Sequence, residues 1–205
     1  MPIGEKQALI TEIVETVLGE PAQSGKTFTW LKNQHVQEDF QFRLSLIDHI
    51  FKTLEGSSQV NKKVQLLRCD AYFGGSFNFI FELDELQHFS TARLKTCELY
   101  PSDLQIAFDI QKYQLYCQMY HEKADKYRRS KTTVDFNFIG GRTAQRAYLD
   151  CFRDILPPLH GLNPTIRIAE FEIEEVTKND KHSQTLIGQL LSQKLPKSLW
   201  AAHKP

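Results

Sequence analysis

Ile10, Ile13, Val14 and Val17 recur at helical spacing within residues 5–18, and Gly19 and Pro21 follow them. This pattern predicts a helix that stops there, then a loop over 19–27. Phe40, Leu44, Ile47, Phe51 and Leu54 repeat the signature between Asp39 and Gly56, which predicts a second helix over about 40–55. The period then becomes alternating. LLRCDAYF (66–73) and SFNFIFELD (76–84) are rich in strand formers and flank Gly74-Gly75, the best hairpin signal in the chain. In the second run Phe77, Phe79, Phe81 and Leu83 point one way, and Asn78, Ile80, Glu82 and Asp84 the other.

Beyond this hairpin, Ser102 and Gln105 form a capping-box pattern after Pro101, predicting a helix from there to about 121. The charged stretch HEKADKYRRSK (121–131) reads as exposed, and VDFNFI (134–139) as a short strand. Gly140-Gly141 leads into a helix with the apolar stripe Ala144, Ala147, Tyr148, Cys151, Phe152 and Ile155, ended at about 156 by Pro157-Pro158. TIRIAEFEI (165–173) reads as a strand, 183–195 as a last helix and 196–205 as a loose tail. The alternation of helices and strands predicts one mixed α/β domain over 1–195, with a helical N-terminal part over about 1–60.

Composition narrows the function classes. The chain has 205 residues, with 25 Lys plus Arg against 25 Asp plus Glu, so neither a polybasic nor an acidic tail is present. A balanced total still permits a basic face opposite an acidic one. No run reaches the ~20 apolar residues of a membrane helix, and the N-terminus has no signal-peptide pattern. Cys69, Cys97, Cys117 and Cys151 lie too far apart for a zinc knuckle, and a reduced, cytoplasmic protein is the expectation. The dispersed histidines show no zinc-binding spacing. SGKT (24–27) is not a P-loop, because five residues rather than four separate Gly19 from Gly25, so no nucleotide cofactor is expected.

The candidate chemistry lies in FELDELQHF (81–89). Glu82 and Asp84 share a face of a Phe-rich strand, where two acids repel one another and resist desolvation. A hard divalent cation relieves both problems. Asp70, on the partner strand, is a third oxygen donor, and three carboxylates around Mg²⁺ (or Mn²⁺) suit phosphodiester hydrolysis. Register decides whether they converge. A two-residue Gly-Gly turn pairs Asp70 with Phe79, on the Phe face; an odd-length loop or a bulge brings Asp70 to the Glu82 face.

The series Asp70, Glu82, Asp84, Gln87, His88, Phe89 resembles the very-short-patch-repair-like and restriction-endonuclease-like branch of the PD-(D/E)XK nuclease superfamily. Arg93, Lys95, Tyr100, Pro101 and GGRTAQRAYLD (140–150) are similar to a bacterial family of this kind. The resemblance implies an αβββαβ core with a mixed central sheet flanked by helices, spanning about 61–175. It implies a Mg²⁺-dependent endonuclease acting on DNA, in bacterial defence or repair. Asp70, Glu82 and Asp84 would then be metal ligands, and Gln87 and His88 would position or deprotonate water. The lysine expected two positions after the second acid is Asp84 here, so His88 or Gln87 would substitute. The short chain has little room for a separate target-recognition domain, so sequence-specific cleavage would require a homodimer or partner. A nuclease-like domain that binds nucleic acid or protein without cutting is the alternative.

A second candidate is the row Arg142, Arg146, Leu149 and Arg153 on the helix after Gly140-Gly141. With Lys126, Arg128, Arg129 and Lys131 it would form a track for a DNA backbone, helped by the helix N-terminus. The alternative is that these arginines pair with Glu82, Asp84 or Asp150.

Overall fold

The computed structural model describes residues 3–58 and 62–202; the last three residues of the expected tail lie outside them. A three-stranded mixed sheet forms the centre. β3 (Ala71–Phe73) pairs antiparallel with β4 (Phe79–Asp84), and β4 pairs parallel with β5 (Asn163–Ala169). Between β4 and β5 the chain makes helices α4 (Thr91–Glu98), α5 (Ile110–Lys126) and α6 (Gly141–Leu159).

The alternation in β4 sorts two layers. Phe73, Phe79, Phe81 and Leu83 pack with Ile10, Ile13 and Val14 of α1 (Ile3–Leu18) and with Ile187 and Leu191 of α7 (Lys181–Lys194). On the other face Ile80 packs with the apolar stripe of α6, against α3 (Leu44–Thr53). Every residue of β4 is buried, so Glu82 and Asp84 are carried into the layer beneath α6. A smaller antiparallel pair, β1 (Thr27–Lys32) with β2 (Leu66–Arg68), flanks this layer. Among the described residues no helix is long and apolar enough to cross a membrane. All four cysteines are free and buried.

Several expected elements differ, each for a physical reason. The run 66–73 is divided: β2 belongs to one sheet and β3 to another, with Cys69-Asp70 as the crossing. Residues 76–78 belong to the turn, since Phe73 pairs with Phe79 and the loop is five residues long. The second helix is two, because Gln41 at φ +51° breaks it after α2 (Gln37–Phe40). The helix expected from Ser102 begins instead at Ile110, where the Asp109 carboxylate accepts the N–H groups of Gln111 and Lys112 at 3.0 and 3.1 Å. Residues 134–139 form no strand: Thr133 and Phe136 exchange backbone bonds with one another. β5 ends at Ala169, whose N–H is taken by Glu172 Oε2 at 2.9 Å, and a 3₁₀ turn follows. The tail contains α8 (Lys197–Ala202).

α6 runs through its two prolines to Leu159. Pro157 has no N–H for the carbonyl of Arg153, and the Thr165 hydroxyl donates to that carbonyl instead. At its other end Gly140 sits at φ +91°, and a Cβ on Gly141 would meet the Phe136 carbonyl oxygen at 1.8 Å. Glycine meets the first requirement without strain and is the one residue that fits the second, and together they fix where α6 starts relative to the site.

Candidate active site

The five-residue loop, an odd count, places Asp70 opposite Glu82 across the β3–β4 ladder. The Asp70 N–H donates to Glu82 Oε1 at 3.3 Å, and the Leu83 N–H donates to Asp70 Oδ2 at 2.9 Å. Both acids line a cavity of about 270 Å³ between β4 and α6, together with Gln87, His88, Arg142 and Arg146. Burial raises the Asp70 carboxyl above its usual range. Burial likewise pushes Glu82 up to about 8, against the opposing charge of Arg153. That guanidinium donates from Nε to Glu82 Oε1 at 3.1 Å and is fixed by the carbonyls of Arg68 and Leu149, at 2.9 and 3.3 Å. These contacts leave Glu82 Oε2 and Asp70 Oδ1 without a hydrogen bond among the described residues.

Asp84 is on the same face but outside that cavity. Arg167 of β5 donates to its Oδ1 at 2.7 Å, and the Tyr113 hydroxyl donates to its Oδ2 at 3.2 Å. Arg167, fully buried, also bonds Asp154 Oδ1 at 2.7 Å and the Asp150 carbonyl at 3.2 Å. Arg93 closes the other side, on Asp154 Oδ2 at 2.7 Å and on the Tyr100 hydroxyl at 3.0 Å. His88 Nδ1 bonds Asp150 Oδ2 at 2.9 Å. Burial works to lower the His88 imidazole, but the charge and hydrogen bond of Asp150, with Asp84, override it and raise it. Asp150, despite its burial, is held far below the usual carboxylate range by His88 and Arg167. Three carboxylates (Asp84, Asp150, Asp154) thus meet two guanidiniums (Arg93, Arg167) and one imidazole, with Glu85 a fourth acid at the edge, 3.8 Å from His88 Nε2.

Arg142 and Arg146 differ from these. Arg142 donates to the Gln145 side chain at 2.9 Å and Arg146 to the Gln87 carbonyl at 3.2 Å, both neutral. Neither has a carboxylate within ion-pair distance among the described residues, and burial lowers both. Gln87 itself donates to Glu85 at 2.8 Å. The basic turn lies against this rim: the carbonyls of Arg129 and Lys131 accept the N–H groups of Gly140 and Arg142 at 2.8 and 3.1 Å. Arg128 and Arg146 flank the Tyr127 ring at 5.4 and 5.3 Å.

The structure therefore brings Asp70, Glu82, Gln87, His88, Arg142 and Arg146 together and sets the exposed Arg128, Arg129 and Lys131 beside the start of α6. Asp84 is committed to Arg167. Among the described residues no group of three or more His, Cys, Asp or Glu side chains is arranged to hold a metal ion. Sequence reasoning did not assign Asp154 or Arg167 to the site. The signal was present: one arginine within the buried strand TIRIA requires a buried acid partner. No family model matches the chain, and no curated protein or solved structure matches it.

Proposed function

We propose that this protein is a metal-dependent nuclease that hydrolyses DNA phosphodiesters. The observation that carries the reading is one cavity holding both a desolvated carboxylate pair and two half-buried arginines without acid partners. The first half suits a hard cation, and the second a phosphate. Asp70 Oδ1 and Glu82 Oε2 are hard oxygen donors without hydrogen bonds, so the donor set fits Mg²⁺ or Mn²⁺ with water completing the shell. When bound, such an ion polarises the phosphodiester and makes water a better nucleophile.

The chain's own groups have separate tasks. Arg153 fixes the Glu82 carboxylate and supplies the positive charge that Asp84, in the usual lysine position, does not. Arg142 and Arg146 hold a non-bridging phosphate oxygen. Gln87 and His88 line the same cavity within reach of a metal-bound water, and His88, tied to Asp150, orients rather than abstracts while protonated. The antiparallel β3–β4 pair, the crossover through α4, α5 and α6, and parallel β5, with α1 against the sheet, support part of that core; the αβββαβ order has three strands before its crossover, and here only β3 and β4 share the central sheet.

Incubating supercoiled plasmid with the protein and Mg²⁺ or Mn²⁺ tests the reading. Nicking by the wild type should fall at least about a hundredfold in Glu82→Gln and Asp70→Asn; equal nicking by all three removes the proposal. A second reading, a nuclease-like fold that binds without cutting, is favoured by the Arg153–Glu82 ion pair, which partly compensates the acid without a metal. Salt-dependent DNA binding with no cleavage in either metal selects it.

A further inference from the structure

A second cavity, of about 380 Å³, lies at the β3 edge of the central sheet, between α1, the loop before β1 and the crossing from β2 to β3. Asp70 lines both this cavity and the one beneath α6, so the two meet at that residue. The crossing is pinned: the Gly25 N–H donates to the Asp70 carbonyl at 3.4 Å, and the Cys69 N–H to the Lys26 carbonyl at 3.0 Å. Arg153 ties the two sides together, with Nε on Glu82 Oε1 at 3.1 Å and Nη2 on the Arg68 carbonyl at 2.9 Å. The backbone of Arg68 is thus one guanidinium away from the Glu82 carboxylate.

Arg68 is the one cation among the lining residues, and Asp70 the one acid. The Asp70 carboxylate is held on the Glu82 side by the Leu83 N–H, so the charge this cavity offers a ligand is that of Arg68. The Arg68 side chain is exposed, with no hydrogen bond and no carboxylate within ion-pair distance among the described residues. Gln7 and Ser24 line the same space, and their side chains make no hydrogen bond among the described residues. Ala8 and Gly25 keep their part of the wall free of long side chains, so a backbone can approach closely. An unpaired guanidinium beside neutral hydrogen-bonding groups suits a phosphate diester. A strand whose scissile phosphate lies at Asp70 and Glu82 continues away from it in both directions. Arg142 and Arg146 lie on the α6 side of the acid pair, and this cavity is the opening on the other side of Asp70. We propose that it is a backbone subsite, in which Arg68 binds a phosphate flanking the scissile one on the same DNA strand, with Gln7 and Ser24 hydrogen-bonded to its oxygens. The identity of the occupant rests on the nuclease reading.

The test is duplex DNA binding by the full chain in Ca²⁺, followed by fluorescence anisotropy over a salt series. Arg68→Gln should reduce the slope of log K against log salt by about 0.9, and Arg68→Gln combined with Arg142→Gln by about 1.8, one phosphate for each arginine. Gln7→Ala combined with Ser24→Ala should weaken binding about fivefold at constant slope, because neutral groups release no counterions. Arg68→Gln should leave the melting temperature of the free protein unchanged, since the side chain is exposed and the carbonyl that receives Arg153 is kept. Lys178→Gln removes a cation that is 74% exposed and outside both cavities, and should leave the slope unchanged. An unchanged slope in Arg68→Gln, an equal change in Lys178→Gln, or a double variant no different from Arg142→Gln overturns the subsite. The plasmid assay with Glu82→Gln is independent. If that variant nicks like the wild type while Arg68→Gln shows its slope change, the subsite stands and the nuclease reading falls. If Glu82→Gln is dead and Arg68→Gln binds like the wild type, the reverse holds.

Discussion

Glu82 and Asp84 leave β4 on the same face, two residues apart, and meet opposite surroundings. Asp84 is 2% exposed and has both oxygens in hydrogen bonds, within a network of three acids, two arginines and a histidine. Glu82 is similarly buried, yet one of its oxygens faces a cavity, and its nearest acid, Asp70, shares that cavity. Closed bonding turns the first acid into part of the scaffold. The second is kept at a cost, with burial raising both members of its pair. An arrangement that stability alone would remove is a mark of function.

Stability measurements break this comparison most directly. Arg167→Met leaves buried carboxylates unpaired and should cost about 3–5 kcal/mol in urea unfolding. A loss below 1 kcal/mol would mean that the network is not what holds β5 to α6. Asp84→Asn, which keeps the shape but weakens the bond to Arg167, should cost about 2–3 kcal/mol. The matching Asp70→Asn relieves a crowded pair and should be neutral or stabilising by up to about 1 kcal/mol. Equal losses at the two positions would make Asp70 structural too.

His88 stands between the regions and gives the comparison a pH dependence. Its folded value lies above the ordinary 6.5, so its contribution is fully present below that pH and is lost as pH rises through the folded value. His88→Gln should therefore lose about 1.5–3 kcal/mol relative to wild type at pH 6, with the gap narrowing as pH rises through the folded value. A gap independent of pH would show that the imidazole acts by packing alone.

What the sequence made legible follows the same division. The alternation in FNFIFELD placed the Phe face and the acid face correctly, because a buried strand has one period and two sides. The apolar stripe of α6 was equally plain, since all six of its predicted residues are buried. α4 was not seen, because its inner face carries Arg93, Thr96 and Cys97 in place of an apolar stripe. β1 went unseen although TFTWLK is rich in strand formers, and its partner strand lies far along the chain. The register at Asp70 depended on whether Ser76, Phe77 and Asn78 belong to strand or turn, which composition does not decide. The partners of Asp84 come from β5 and α5, and no local pattern reports such distant pairing.

The smallest effect concerns the arginines, where the same contrast between paired and unpaired charge recurs on one helix face. Arg153 is neutralised by Glu82, whereas Arg142 and Arg146 bond only neutral groups. An arginine that meets a phosphate releases condensed counterions, and one already paired with a carboxylate releases few. In duplex-binding titrations followed by fluorescence anisotropy in Ca²⁺, Arg142→Gln should reduce the slope of log K against log salt by about 0.9. Arg153→Gln should leave the slope nearly unchanged while lowering activity. Equal slope changes would mean that Arg153 releases Glu82 when DNA arrives. The ion pair would then be a feature of the free protein alone, and the two arginine classes would merge into one phosphate track.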